Sequence, residues 1–260
     1  MKKIIFNILM LTVVLANFSC SSYRKIPYFQ NLDRTAKATE AIDNRSPLVI
    51  QDGDILGINV TSLNPEASAV FNYNLSRVNG NNYDTSPGNP VVGYLVGPQG
   101  DIQLPLLGSL KVAGLTTAEI RAQLQQKLVS YLKEPVASIR LLNFKISVLG
   151  DVLKPDVYTV QNERINLLQA LSLAGDLTIT AQRTNVLLVR EQDGRREYIP
   201  IDLTSKALFT SPYYYLKNND ILYVQPDKTK FATVDRGYRS ASLVLSGLSI
   251  IAIVFSALHR

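Results

Sequence analysis

The candidates for acid-base chemistry in this 260-residue chain are three aspartates in glycine-containing turns. Asp52 and Asp54 flank Gly53, and Asp101 follows Gly100. Two carboxylates in one cleft could act as a general acid and a general base. Each aspartate here, however, has the position of a turn former whose side chain bonds its own backbone, which accounts for it without catalysis. We therefore predict that the protein is not an enzyme.

The chain has few residues for cysteine or histidine chemistry. The chain contains one cysteine, Cys20, and one histidine, His259, at opposite ends of the sequence. One cysteine excludes an intrachain disulfide, and two isolated residues do not make a metal site. The net charge of +6 is modest and is not gathered into a long basic block, which argues against nucleic acid as a partner. We expect no cofactor, no metal and no nucleic acid.

Hydroxyl groups are the most regularly spaced polar feature. Four serines near the C-terminus are separated by 4, 3 and 7 residues, which on a helix places them within an arc of about 80°. Serines on a membrane helix can face water in a pore, but they can also bond the carbonyl four residues back or mark tight helix packing. In the pore interpretation the lumen-facing positions are Ser242, Ser246, Ser249, Ile253 and Ser256, and the lipid-facing ones are Val244, Ile251 and Phe255.

The segment carrying these serines has the length of a membrane span. Residues 240–258 contain no charged side chain and are bracketed by Arg236 and Arg239 on one side and by Arg260 on the other. As a helix the segment would reach about 27 Å, close to the thickness of a bilayer's hydrocarbon core. We predict a C-terminal transmembrane helix over 240–258, preceded by a linker over 227–239. Because each chain has one such helix, a water-facing stripe implies a ring of subunits.

The other end of the chain has the form of a secretory signal peptide over 1–19. Lys2 and Lys3 precede an apolar run over 4–15, which ends close to Cys20. Cys20 is either a lipidated first residue of the mature protein or an ordinary buried free cysteine. Residues 20–47 are polar and weakly periodic, so we interpret them as a lipid-anchored tether with one adhesive patch, Ile26–Leu32.

The order of strand and helix patterns over residues 48–226 predicts an α+β fold of two small mixed domains, 48–143 and 144–226. In the first domain, Leu56, Ile58 and Val60 alternate as in a half-buried strand, and Thr116 with Glu119 forms a capping box that opens a helix. In the second, a short helix over 166–174 is followed by strands, a hairpin turn at 193–194 and a last strand near 221–224. Tyrosines 213–215 could stack on sugar rings, although aromatic residues also occur in strands and interfaces.

These segments together resemble the outer-membrane polysaccharide export family, lipoproteins through which capsule or exopolysaccharide leaves Gram-negative cells. The export domain of that family is similar to LVIQDGDIL, YLVGPQGDIQLPLLG, VAGLTTAEI and YLKEPVASI in this chain. Its soluble-ligand-binding β-grasp (SLBB) domain is similar to VLGDVLKPDVYTV, NLLQALSLAGDLT, VLLVR and NNDILYVQP. One departure is Asp156, where the family usually has glycine after Pro155.

The resemblance implies an outer-membrane lipoprotein, anchored at Cys20, with its folded domains in the periplasm. In the family's best-known architecture about eight subunits form a homo-oligomeric ring, with one C-terminal helix per subunit lining a conduit; such a ring would leave a lumen of about 15 Å. Its partners would be the polysaccharide, the membrane and an inner-membrane co-polymerase or tyrosine-kinase-type export protein. One family alternative has no spanning helix and needs a separate barrel partner. The other class considered is a membrane-anchored periplasmic polysaccharide-binding or scaffold module without its own pore.

Overall fold

The computed structural model describes residues 26–45, 47–72, 77–78, 82–83, 93–192, 194–231 and 236–258. For residues 77–78, 82–83, 236–239, 241–242, 256 and 258 it describes the backbone alone. The predicted signal peptide over 1–19 and the predicted lipidation site Cys20 lie outside the described residues.

The first domain is organised around an antiparallel sheet of three strands in the order β4-β1-β7. Its elements in chain order are β1 (Ile55–Thr61), α1 (Pro65–Ala69), β2 (Arg77–Val78), β3 (Asn82–Tyr83), β4 (Tyr94–Leu95), β5 (Asp101–Leu104), β6 (Gly108–Lys111), α2 (Thr117–Leu128) and β7 (Val136–Leu141). Leu56, Ile58 and Val60 of β1 are fully buried, which confirms the strand predicted there.

Helix α2 covers this sheet. The predicted capping box is present, since the Thr116 side chain accepts from the Glu119 N–H and the Glu119 carboxylate accepts from the Thr116 N–H. Ile120, Leu124 and Leu128 lie on the buried face, in agreement with their spacing. The helix ends at Leu128, where the Tyr131 and Leu132 N–H groups both donate to the Leu128 carbonyl.

The second domain contains a mixed sheet of five strands in the order β11-β10-β12-β8-β9, in which β12 and β8 run parallel. Its elements are β8 (Lys145–Gly150), β9 (Asp156–Thr159), α3 (Leu167–Leu173), β10 (Ala181–Gln192), β11 (Arg195–Ile201), a 3-10 helix (Lys206–Thr210), β12 (Ile221–Pro226) and a second 3-10 helix (Lys228–Phe231). Asp156 pairs with Val148 as the first residue of β9. Its strand conformation does not require glycine.

Helix α3 has its own capping box, formed by Asn166 and Gln169, and buries Leu167, Ala170 and Leu171 against the sheet. The chain then turns through Gly175, whose φ is +76°. A positive φ suits glycine and ends a helix without steric cost. The short helix predicted over 166–174 is therefore present, with Asn166 and Ala174 as its two caps.

The adhesive patch predicted in the tether packs on the second domain. We call Ile26–Leu32 the docking segment. The Phe29 N–H donates to the Leu203 carbonyl at 3.2 Å and the Gln30 N–H to the Thr204 carbonyl at 2.6 Å. The Phe29 ring centroid lies 4.7 Å from that of Phe209. The prediction of a tether did not include this attachment, which holds the chain close to the second domain well before the first domain begins.

The C-terminal segment forms helix α4 (Arg236–Leu258). Its described large apolar side chains are all more than half exposed, from 51% for Val254 to 73% for Leu243. A search of the described residues finds no helix that is both long enough and apolar enough to cross a membrane. The predicted transmembrane helix over 240–258 is thus not supported, although the segment is helical.

Candidate functional site

The two domains meet at the turn that contains Asp54. Its carboxylate is buried and accepts the Gln51 N–H at 2.9 Å and the Asn218 side-chain amide at 2.7 Å. The first bond closes the turn, and the second reaches from the second domain. Burial raises the pKa of Asp54, while the two hydrogen bonds oppose that shift. The structure therefore gives Asp54 the role of joining the domains.

Asp101, the other carboxylate singled out from the sequence, belongs to the β5-β6 hairpin. Its Oδ2 accepts from the Ser109 hydroxyl at 2.6 Å and from the Gln103 amide at 2.8 Å. The hydrogen bond from Ser109 is the main reason that the pKa of Asp101 lies below its usual value. The carboxylate is held by side chains of its own hairpin, which gives it a structural role. These bonds differ from the backbone bonds expected of a turn former.

A polar cleft opens beside the Asp54 junction, with a volume of about 780 Å³. The first domain contributes Asp52, Asp54 and the apolar residues 48–50, and the second contributes Glu191, Arg195, Arg196, Lys217 and Asn218. Arg196 forms an exposed ion pair with Glu191. The cleft offers charges of both signs and amide groups, which suits reversible contact with a hydrated, polar chain. Among the described residues no group of histidine, cysteine, aspartate or glutamate could hold a metal ion.

The second domain also contains a buried ion pair that was not predicted from the sequence. Arg190 binds Asp220 through two parallel hydrogen bonds, Nε to Oδ1 at 2.9 Å and Nη2 to Oδ2 at 2.6 Å, and both side chains are almost completely buried. Asp220 also accepts the Lys217 N–H at 2.8 Å. Two parallel hydrogen bonds of this kind fix the orientation of the guanidinium plane relative to the carboxylate plane. It locks the loop before β12 to the middle of the sheet.

The three tyrosines proposed for sugar stacking take part in packing. The Tyr213 ring lies 5.6 Å from the Arg190 guanidinium, and Tyr214 contacts both Phe209 and Tyr215 with its ring. Tyr213 also borders a second cavity of about 410 Å³, together with Asp43, Asn44, Arg45, Gln192 and Glu197. The aromatic groups thus join the docking segment to the second domain, and one of them reaches a polar cavity.

The serine stripe is described in part. The Ser249 hydroxyl donates to the Leu245 carbonyl at 2.9 Å, the internal bond that a serine in a helix can make four residues back. Ser246 and Ile253 are exposed, as are the residues predicted to face lipid, Val244, Ile251 and Phe255. The side chains of Ser242 and Ser256 lie outside the described residues. The lumen-facing and lipid-facing assignments remain predictions.

Comparison with known proteins agrees with this two-part fold. A family model described as "Polysaccharide biosynthesis/export protein" matches residues 43–142, and one described as "SLBB domain" matches residues 144–224. The two matches follow each other almost without a gap and include every sheet of both domains. The chain belongs to the outer-membrane polysaccharide export family.

The similar curated proteins have export-related names. The "EPS I polysaccharide export outer membrane protein EpsA" of Ralstonia solanacearum is 30% identical over 196 residues, which is 72% of this chain and 51% of that protein. The protein of the same name from Ralstonia nicotianae is 34% identical over 56% of this chain and 39% of its own length. The "Exopolysaccharide production protein ExoF" of Rhizobium meliloti is 33% identical over 32% of this chain and 21% of its own. The chain spans about half the length, or less, of these relatives.

Proposed function

We propose that the protein is an outer-membrane component of an exopolysaccharide export system, in which several copies form a conduit. The observation that carries the proposal is the ordered match of an export domain and an SLBB domain, which together account for both folded domains. The relatives named as outer-membrane export proteins support the location. Energy for transport would come from an inner-membrane co-polymerase or tyrosine-kinase-type export partner.

In this proposal transport is passive. Neutral hydroxyl and amide groups exchange hydrogen bonds with water and sugar without holding either tightly, and conduction requires contacts of that replaceable kind. The mixed charges of the cleft fit the same role. The alternative is a membrane-anchored periplasmic polysaccharide-binding or scaffold module without its own pore. The exposed apolar side chains of α4 call for a covering of lipid or protein, which either function could supply. The names of the relatives favour export.

Helix α4 supplies the test of the conduit. In a ring of such helices, Ser242, Ser246, Ser249, Ile253 and Ser256 would face a wet lumen, and Val244, Ile251 and Phe255 would face lipid. Ser249→Arg should keep the protein in the membrane fraction but reduce the exported polysaccharide by narrowing the lumen. Ile251→Arg should remove the helix from the membrane, since an arginine facing lipid costs about 3 kcal/mol on insertion scales.

Exported polysaccharide is measured for both arginine variants against wild type. Membrane retention is measured for both in a Cys20→Ser background, where no lipid can hold the protein in the membrane. The two positions lie two residues apart on the same helix, so each is a control for the effect of the added charge on the other. Equal losses of membrane retention at the two positions would contradict the assignment of faces on α4.

The lipid anchor is a separate part of the proposal. A signal peptide that ends at Cys20 would leave a diacylglyceryl cysteine at the start of the mature chain. Mass spectrometry of the protein purified from membranes should show this modified residue, and Cys20→Ser should give a folded but mislocalised protein. A mature N-terminus downstream of residue 20 would rule the anchor out.

A further inference from the structure

The sheet of the second domain has two ends with different surroundings. At one end Asn218, just before β12, binds Asp54 of the first domain. At the opposite end β8 and β12 finish and β10 begins, because β8 is parallel to β12 and β10 antiparallel to it. Three loops meet there, 151–155, 174–180 and 227–231. We call these loops the distal end.

The N-terminal docking segment is fixed to the distal end. The Tyr28 hydroxyl donates to Asp176 Oδ1 at 2.5 Å. The Arg183 guanidinium lies 5.7 Å from the centroid of the Tyr28 ring and donates to the carbonyls of Thr178 and Ala181, each at 3.0 Å. Tyr28 is thereby held between the Asp176 carboxylate of the loop 174–180 and the Arg183 guanidinium at the start of β10. Burial is the main reason that the pKa of Tyr28 is raised well above its usual value.

The C-terminal exit is fixed to the same loop. Lys230 Nζ binds Asp151 Oδ1 at 2.6 Å, and Asp151 Oδ2 accepts from the Thr180 hydroxyl at 2.7 Å. The Asp227 N–H donates to the Thr180 carbonyl at 2.7 Å. Only residues 232–235 separate this attachment from α4. Both terminal segments of the chain therefore leave the folded domains from one end of the sheet.

Each of the three loops also exposes one large apolar side chain. Leu153, Ile179 and Phe231 are 66%, 70% and 55% exposed. A single exposed apolar residue needs no explanation, but one on each of three segments at a shared end gives that end an apolar character. These segments carry Lys154, Lys228 and Lys230 and also Asp151, Asp176 and Asp227, so their formal charges cancel. Asp151 pairs with Lys230, and Asp176 and Asp227 accept hydrogen bonds from the Tyr28 hydroxyl and the Thr229 N–H. The features that suit a membrane interface are therefore the exposed apolar side chains, with Lys154 and Lys228 beside them.

We propose that the distal end lies on the bilayer surface, with Leu153, Ile179 and Phe231 entering the boundary between the headgroups and the acyl chains. This rests on the proposed function, which places a lipid anchor before the docking segment and α4 after the exit. From Cys20 to Tyr28 the chain spans at most about 27 Å when fully extended. A lipid on Cys20 would hold Tyr28, and with it the loop 174–180, close to the membrane.

The chain contains no tryptophan, so single substitutions give clean reporters. Ile179→Trp and Phe231→Trp are the test variants. Tyr198→Trp is the matched control, because Tyr198 is similarly exposed, belongs to the same domain and pairs with Val189, about 26 Å along β10 from its start at the distal end. The full-length lipoprotein is reconstituted into phosphatidylethanolamine and phosphatidylglycerol vesicles whose acyl chains carry bromine, a contact quencher of tryptophan.

We expect the brominated lipid to quench the tryptophan fluorescence of the Ile179→Trp and Phe231→Trp variants and to leave that of Tyr198→Trp unchanged. If the vesicle-bound protein shows no quenching at 179 and 231, the proposal is wrong, even though the membrane location survives. Shielding of these two positions from a soluble quencher, without quenching by bromine, would assign the surface to a second copy and would also overturn it. A protein that does not float with the vesicles would refute the membrane location itself and this proposal with it.

Discussion

Replacing Gly150 by alanine is expected to unfold the second domain. Gly150 has a φ of +96°, and a methyl group built on its Cα would lie 2.0 Å from the Val224 carbonyl oxygen of the neighbouring strand. Neither atom can move away, because Gly150 pairs with Val224 in the parallel ladder and the next N–H donates to the same carbonyl. The strands would have to separate, so we expect a loss of more than about 4 kcal/mol, in the range of severe core defects.

Gly194→Ala is the matched control for this variant. Gly194 lies in the same domain with a similar φ of +70°, but a methyl group there would meet no atom within 4 Å. It should lose only about 1 to 2 kcal/mol, the cost of a left-handed residue with a side chain. Thermal unfolding followed by circular dichroism compares the two with wild type. Equal melting temperatures for both variants would show that the contact with Val224 does not limit the structure.

The second large effect is expected at the Arg190 and Asp220 pair. Arg190→Met leaves an ionised carboxylate buried without its cation, and we expect a loss of about 3 to 5 kcal/mol in the free energy of unfolding. The double variant Arg190→Met with Asp220→Leu removes both charges, so it should be more stable than Arg190→Met alone. Chemical denaturation of the three proteins measures these differences.

The exposed pair on the adjacent hairpin provides the control for burial. Arg196→Met breaks the ion pair with Glu191, where both partners face solvent, and such pairs contribute less than about 1 kcal/mol. If Arg190→Met were as mild as Arg196→Met, the buried pair would not hold the loop before β12 to the sheet.

Local patterns predicted the elements whose causes are local. The capping box of Thr116 and Glu119 and the alternation in β1 depend on neighbouring residues, and each appears where its pattern lies. The buried ion pair could have been predicted from the sequence pattern of β10. Arg190 continues the inward alternation of Val186 and Leu188 along β10, and a charge at a buried strand position requires a partner.

Other features depend on contacts between distant parts of the chain. Tyr28 and Asp176 are 148 residues apart in sequence, and Asp151 and Lys230 are 79 apart. Neither pair follows a helical or strand period, so no pattern could have joined them. For the C-terminal segment the sequence predicted the helical conformation correctly. The predicted membrane span is not supported, because the described residues provide no helix that could cross a membrane.

The most direct test of the proposed export role is to delete the gene in its own host and to measure exopolysaccharide outside the cells. Plasmid-borne wild type and Gly150→Ala are compared in the deletion strain. Secreted polymer should disappear on deletion, return with wild type and stay absent with Gly150→Ala. Unchanged secretion in the deletion strain would contradict the proposal that this protein carries exopolysaccharide to the cell exterior.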